Sequence, residues 1–331
     1  MQKPEPKVVV ITGASGGLGR QTAIEFARLG WRVVLAARRA ESLEQTAAMC
    51  RDQGGEALVK VTDVTSEADV AALARAALDQ WGAIDVWVNN AGVTLFALLE
   101  EGPFEEHRRV IETNLFGAIY AARSVIPVFR RQKRGVMINV GSILSKVGQP
   151  VVPSYVISKF ALRGLSEVLR VELADEPDIH VCTLLPYAID TQHFETGGNR
   201  IGLMPFALPP VQKPEDVAAA LVGLAEHPQR EIHVPGMTVV GLALRWLLPE
   251  TCERLVSHAV WRWHVSPYAQ EPSSGNLFHG DGKSGKVHGT RPPRVSTAAF
   301  ALWTVTDLVR MQASSALGWT SSLLSWLQPR G

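Results

Sequence analysis

Lys7-Val8-Val9-Val10-Ile11-Thr12-Gly13-Ala14-Ser15-Gly16-Gly17-Leu18-Gly19 joins two patterns at a glycine-rich turn. Lys7 to Thr12 is a β-branched apolar run with no polar alternation, which suits a parallel strand buried on both faces. Beyond the turn, Leu18, Ala23, Phe26, Ala27 and Leu29 recur near helical spacing. The glycines therefore lie between a strand and a helix. Free backbone N–H groups and the helix N-terminus at such a turn suit a dinucleotide pyrophosphate, and side chains larger than hydrogen would block its approach.

The alternation continues along the chain. Strand patterns occupy Arg32 to Ala37, Ala57 to Thr62, Asp85 to Asn89, Val136 to Val140 and His180 to Leu185, with a short seventh at Glu231 to Val234. Helical stretches from Glu41 to Gln53 and from Glu67 to Trp81 separate the early ones. Repeated strand and helix units build a parallel sheet covered on both faces. No repeat of fixed period occurs, which argues against a solenoid. The second strand ends in Ala37-Arg38-Arg39. An acidic residue there would bond a ribose 2′-hydroxyl, whereas an arginine accommodates a 2′-phosphate, so the pattern favours NADP over NAD.

Tyr155 and Lys159 stand four residues apart, with Ser142 thirteen positions upstream of Tyr155. A single helix over residues 153–174 puts the phenol and the ammonium on one face, where the charge is expected to lower the phenol pKa. A tyrosine so placed is a usable acid or base near neutral pH. Alone, this spacing is common in solvated helices; its position after the other signals gives it weight.

Thr12 to Gly19, Asp63-Val64, Asn89-Asn90-Ala91-Gly92, Asn114, Ser142, Tyr155 and Lys159 together resemble the short-chain dehydrogenase/reductase family of the TGxxxGxG and YxxxK type. The resemblance runs from about Lys7 to about Pro235. It implies an α/β, Rossmann-like doubly wound parallel sheet of about seven strands with helices on both faces. It also implies a catalytic set of Asn114, Ser142, Tyr155 and Lys159. Tyr155 would exchange a proton with the substrate oxygen, which Ser142 would hydrogen-bond. Lys159 would hold the nicotinamide ribose, and Asn114 resembles the asparagine that holds a water between the lysine and solvent. Cofactor contacts are expected from Gly13, Ser15, Gly17, Leu18 and Gly19 at the turn, Arg38 at the ribose, and Asp63 and Val64 around adenine. Asn90, Ala91, Gly92, Tyr155, Lys159, Pro186 and Thr191 would complete the set, whereas Thr12 and Asn89 read as structural. One departure stands out: the family usually has Pro-Gly after the sixth strand, and this chain has Pro186-Tyr187.

With 331 residues the chain is long enough to bury a sizeable core, and a formal net charge of +1 gives no reason to expect nucleic-acid binding. Cys50, Cys182 and Cys252 show no metal-ligand spacing and fit a reducing compartment. The charged, proline-containing stretch Met1 to Lys7 is not a signal peptide, and no apolar run approaches the ~20 residues of a spanning helix. A cytoplasmic location is the expectation. The catalytic domain is expected over 1–235 and a largely helical extension over 236–331, with an irregular Gly/Ser/Pro-rich segment at 271–293 and a helical stretch from Ser296 to Leu327 interrupted at Gly318. Nine Lys plus Arg face five Asp plus Glu after Pro235, and six of the nine tryptophans lie there. Packing over the cleft or at a subunit contact is the favoured reading of that extension, and peripheral membrane contact the other.

The combined reading is an NADP-dependent oxidoreductase interconverting a secondary alcohol and a ketone, or an aldehyde and a primary alcohol, with an apolar small-molecule substrate. The resemblance further implies a homodimer or homotetramer, paired through the helices bearing Asn114 and Tyr155. No metal is expected. The rival is an NADP-binding redox or metabolite sensor without turnover, which has no need of Asn114, Ser142, Tyr155 and Lys159 together.

Overall fold

The structure is a computed structural model that describes residues 5–236, 238–280 and 285–326, with the side chains of Val239, Val240, Leu244 and residues 312–326 outside the description. Seven strands form the central sheet: β1 (Val8–Thr12), β2 (Arg32–Ala37), β3 (Glu56–Val61), β4 (Val86–Asn89), β5 (Gly135–Val140), β6 (Ile179–Pro186) and β7 (Glu231–Val234). They run in the order β7-β6-β5-β4-β1-β2-β3, every pair parallel. The chain thus crosses from β3 back to the far side of β1. That reversal opens a crevice at the carboxyl ends of β1 and β4, the place where doubly wound sheets bind ligands.

Successive side chains of a strand face opposite sides, and β1 shows why an unbroken apolar run was needed. Val9 and Ile11 join one buried layer while Val8 and Val10 join the other. The first layer packs on α1 (Gly17–Arg28) and α2 (Ala40–Asp52). The second packs on α3 (Glu67–Trp81), and after α4 (Phe104–Ile111) come two further helices of this layer, α5 (Gly117–Gln132) and α6 (Pro153–Glu172). α3 begins where Ser66 Oγ accepts the Asp69 N–H at 3.2 Å and ends at Gly82, which adopts φ 74°. Between α4 and α5 the helix widens into a π turn at Glu112–Phe116, which carries Asn114. Such single-turn bulges are frequent at functional sites.

After β6 come α7 (His193–Thr196) and α8 (Pro214–Glu226); α8 covers the first layer beside α1. The extension then supplies α9 (Thr238–Leu247), α10 (Pro249–Ala259) and α11 (Thr297–Trp326). One expectation changes here. The extension is largely helical and adds one strand, Val265–Ala269, which pairs antiparallel with Leu203–Pro205 of the body. The last helix runs unbroken through Gly318, within its 30 residues. Residues 271–293 lack regular helix or strand among the described residues, as their composition indicated, yet they are pinned to the body by hydrogen bonds.

The first turn of α1 approaches the end of β1 closely enough to exclude any side chain at Gly19. A Cβ there would meet Gly13 O at 2.2 Å and Asn90 Nδ2 at 2.5 Å. Gly19→Ala is expected to lower stability by about 1–3 kcal/mol. A urea titration checks this through the unfolding midpoint; an unshifted midpoint would show that the turn relaxes freely.

Candidate active site

Thr12, at the end of β1, ties the two turns that frame the crevice. Its Oγ1 donates to Val88 O at 3.2 Å and accepts the N–H groups of Asn90 at 3.0 Å and Ala91 at 3.1 Å. Asn90 Nδ2 returns a bond to Thr12 O at 2.9 Å. Asn89 is buried in the sheet layer instead, donating to Asn139 Oδ1 and accepting from Trp87 Nε1, each at 2.8 Å. The division between Thr12 and Asn89 as structural groups and Asn90 to Gly92 as cleft wall therefore holds geometrically.

Ser142 follows β5 and caps the short turn Ile143–Ser145, accepting from Leu144 N at 3.1 Å while its own N–H donates to Ser145 Oγ at 3.2 Å. Tyr155 and Lys159 project from α6, one turn apart. Lys159 is 4 % exposed; its Nζ donates to Val140 O at 2.7 Å and lies 5.4 Å from the centroid of the Tyr155 ring. Burial pulls the Lys159 ammonium down to about 8. Burial pushes the Tyr155 phenol up to about 12, against the opposing effect of its hydrogen bond with Ser142. The spacing argument expected the lysine to lower the phenol pKa, and here it does not. Desolvation governs both groups, and the ammonium is tied to a carbonyl rather than turned to the phenol oxygen.

Asn114 uses its side chain within the body. Its Oδ1 accepts from Val93 N at 2.8 Å and its Nδ2 donates to Val93 O and to Ser158 Oγ, both at 3.0 Å. It does not line the cleft, and its side chain clamps the turn after β4 to α6.

A cavity of ≈ 610 Å³ runs past these groups. Every residue expected at the cofactor lines it, from Gly13, Ser15, Gly17, Leu18 and Gly19 through Arg38, Asp63, Val64 and Asn90 to Gly92, to Pro186 and Thr191. Ser142, Tyr155 and Lys159 line it too. Its other half is an apolar wall: Phe96, Val152, Phe194 and Leu208 from the body, which sequence reasoning missed, and Leu242, Leu255, Val256, Phe300 and Trp303 from the extension, for which packing over the cleft was one of the readings given. Tyr187 is also on this wall, its phenol pushed up to about 12 by burial. The His193 ring stands 5.5 Å from the Tyr155 ring, and burial, with Lys159 and His264 nearby, brings its pKa down to about 4. It is therefore neutral at physiological pH. His193 follows Thr191 in a segment without periodicity, so only its nearness to the expected carboxamide contact hinted at it.

The irregular segment of the extension crosses the other end of the cleft. Arg38 donates from Nη1 to Leu277 O at 3.0 Å and from Nη2 to Asn276 O at 2.6 Å. Gly17 N donates to Lys286 O at 2.9 Å. Asp63 accepts from Thr65 and, at 2.8 Å, from Arg109 Nη2. Burial opposes ionisation of Asp63, but the Thr65 and Arg109 bonds outweigh it and hold the carboxyl below its usual range.

The residues present fit a dinucleotide. Gln192 Oε1, on the cavity wall beside Thr191, is a buried acceptor without a partner among the described residues. Gly92 leaves open a space that a Cβ would fill 3.5 Å from Asn114 Oδ1 and 3.7 Å from Lys159 Nζ. The chain matches the short chain dehydrogenase family over residues 7–200. It belongs to that family.

This short-chain dehydrogenase is 33% identical over 277 residues to the uncharacterized oxidoreductase YxnA of Bacillus subtilis, covering 83% of this chain and 77% of the relative. Among solved structures it resembles an alcohol dehydrogenase from the archaeon Thermococcus sibiricus complexed with 5-hydroxy-NADP, with 31% identity, TM-score 0.61 and coverage of 69% of this chain and 96% of that one. It also resembles a short chain dehydrogenase/reductase from Burkholderia phymatum in complex with NAD, with 26% identity, TM-score 0.68 and coverage of 82% and 100%. The chain is an oxidoreductase of this family, and its seven-stranded sheet is the family's fold.

A short-chain dehydrogenase that buries its lysine in this way carries a stability cost. Burial brings Lys159 down to about 8 in the folded protein from 10.5 in the unfolded chain, so between these the unfolded chain binds more protons and stability rises with pH. At pH 7 both states are protonated and the whole penalty, about 3 kcal/mol in magnitude, is felt. Lys159→Met is therefore expected to be more stable than the parent at pH 7, with the gain shrinking as pH rises from about 8 towards 10.5. Urea titrations of both proteins without added nucleotide at pH 7 and pH 10 test this; a variant less stable at pH 7 would refute it.

Proposed function

We propose that this enzyme interconverts an apolar secondary alcohol and a ketone, or a primary alcohol and an aldehyde, with NADP as the hydride partner. The observation that carries the reading is the position of Ser142, Tyr155 and Lys159 where a dinucleotide-fitting cleft meets an apolar half-cavity. Arg38 at the end of β2, with neutral Ala37 before it, supports NADP, since the relatives include proteins bound to either nucleotide.

The nicotinamide, when bound, supplies or accepts the hydride. The protein's work is orientation and proton handling. Tyr155, protonated at neutral pH, donates its proton to the carbonyl oxygen during reduction. Ser142 shares a hydrogen bond with Tyr155 and stabilises charge developing on the substrate oxygen. Lys159, whose Nζ lies 5.4 Å from the Tyr155 ring centroid, would hold the nicotinamide ribose hydroxyls. Asn114 is a positioning residue through its clamp on Val93 and Ser158. Gly13, Ser15, Gly17, Leu18 and Gly19 would hold the pyrophosphate, Asp63 and Val64 the adenine, Asn90, Ala91 and Gly92 the adjoining ribose, and Pro186 and Thr191 the carboxamide.

The substrate half supports a largely apolar molecule. Phe96, Val152, Leu208, Val256 and Trp303 wall it, Tyr187 and His193 are neutral, and Arg245 of α9 adds one cation to the lining. Assigning the extension to this wall rather than to a membrane follows from the same contacts; among the described residues no helix is long and apolar enough to cross a bilayer. Side chains of Trp319 and Trp326 lie outside the described residues. A second copy of the chain is the partner assigned to α6, where Ile157, Phe160, Val168 and Val171 are exposed at helical spacing with Phe116 of the π turn also exposed.

NADPH consumption against ketones and aldehydes graded from small polar to steroid-sized tests the reading. Turnover is expected on the larger apolar substrates, and Tyr155→Phe is expected to lose about 10²–10⁴-fold in kcat/KM while still binding NADPH. Activity confined to small, highly polar carbonyls would refute the apolar assignment.

A further inference from the structure

We propose that the Asn276–Leu277 peptide of the extension is part of the cofactor-selecting site, positioning Arg38 and Arg109 so that selectivity for NADP over NAD depends on a segment outside the α/β body. The inference rests on Arg38 being the 2′-phosphate ligand of the preceding section. Leu277 O accepts from two arginines at once, Arg38 Nη1 at 3.0 Å and Arg109 Nε at 3.1 Å. Arg38 also donates to Asn276 O, and Arg109 reaches Asp63 Oδ2 at 2.8 Å and Thr65 Oγ1 at 2.6 Å. One peptide therefore joins the arginine at the end of β2 to the carboxylate placed at the adenine. Arg38, Asp63 and Asn276 all line the same cavity.

The peptide is held in place independently of any nucleotide. Leu277 is 0 % exposed and packs among Val93, Leu95, Ala97 and Val110, the residues just beyond the Asn90–Gly92 turn and on α4. Asn276 N donates to Thr196 O at 2.8 Å and Asn276 Nδ2 to Thr196 Oγ1 at 3.1 Å. The turn before it needs Gly275, which adopts φ 52° with its missing Cβ only 2.4 Å from Thr196 O. An arginine tied by its guanidinium to fixed carbonyls has given up side-chain freedom before the ligand arrives, so less is lost on binding. Lysine could not be held this way, because it lacks the planar fork of donors.

Titration of NADPH and NADH by their intrinsic fluorescence, without substrate, reads the ratio of the two dissociation constants directly. The parent is expected to favour NADPH by about tenfold or more, and Arg38→Ala to bring the ratio near one. Leu277→Ala, which keeps the peptide but removes its anchor, is expected to cut the ratio about fivefold, with Leu277→Met restoring most of it. Gly275→Ala displaces the turn against the Thr196–Gly197 backbone while leaving the Leu277 side chain intact, and is expected to cut the ratio in the same direction should Leu277→Ala fail to fold. A ratio that collapses in Arg38→Ala but survives in Gly275→Ala and in folded Leu277→Ala overturns this inference alone. Tighter NADPH binding in either tail variant overturns it too, since the peptide would then obstruct the site. A ratio unmoved by Arg38→Ala overturns the Arg38 reading, and this inference with it.

Discussion

A buried ammonium held against a main-chain carbonyl is the constraint around which this enzyme is arranged. Lys159 faces Val140 O at the end of β5 while Tyr155, one turn earlier on α6, takes its hydrogen bond from the Ser142 turn that follows the same strand. Both residues depend on the register of α6 against the sheet. Two side-chain bridges set it: Asn114 to Ser158 at 3.0 Å and Asn139 to Ser166 at 2.8 Å. Asn139 in turn accepts from Asn89, whose Oδ1 accepts from Trp87. A polar chain thus runs from α6 through β5 to β4 in an otherwise apolar interior, with every member bonded. Satisfied networks of this kind fix a single packing, where apolar contacts alone would allow a helix to slide.

The sheet was legible because buried parallel strands carry their apolar residues contiguously, as Val8 to Ile11 and Val33 to Ala36 do. Strand ends differed by a residue or so, since hydrogen bonding continues past the apolar run: β6 begins at Ile179 and includes Pro186. The cleft residues were legible because glycine and small polar residues at strand ends have a steric reason to be there. Desolvation was not. Spacing showed that Lys159 and Tyr155 share a helix face, but the burial that moves both pKa values arises from neighbours far along the chain. Segment 271–293 was illegible for another reason. Its grip on Arg38, Arg109 and Gly17 uses the carbonyls of Asn276, Leu277 and Lys286, and a carbonyl is common to every residue. Leu277 and Phe278, whose ring lies 5.9 Å from the Arg109 guanidinium, were the side-chain traces of the contact.

The extension changes what the α/β body can do. At one end it closes the substrate half with Leu242, Val256 and Trp303, and at the other it joins Arg38 to Arg109. A single segment therefore borders both partners of a hydride transfer. Excluding water from both sides strengthens the electrostatic effect of each remaining polar group, and makes an unpaired charge expensive. The neutral state of His193 follows from that cost.

The protonation states also give the two directions of the reaction unequal starting points. With its phenol at about 12, Tyr155 already holds the proton that carbonyl reduction consumes. Alcohol oxidation, as proposed, instead needs the phenolate, which burial disfavours and the Ser142 hydrogen bond favours. Lys159 keeps its charge below about 8 and loses it above. Carbonyl reduction near neutral pH, as proposed, starts from the protonated form of Tyr155 that burial already favours.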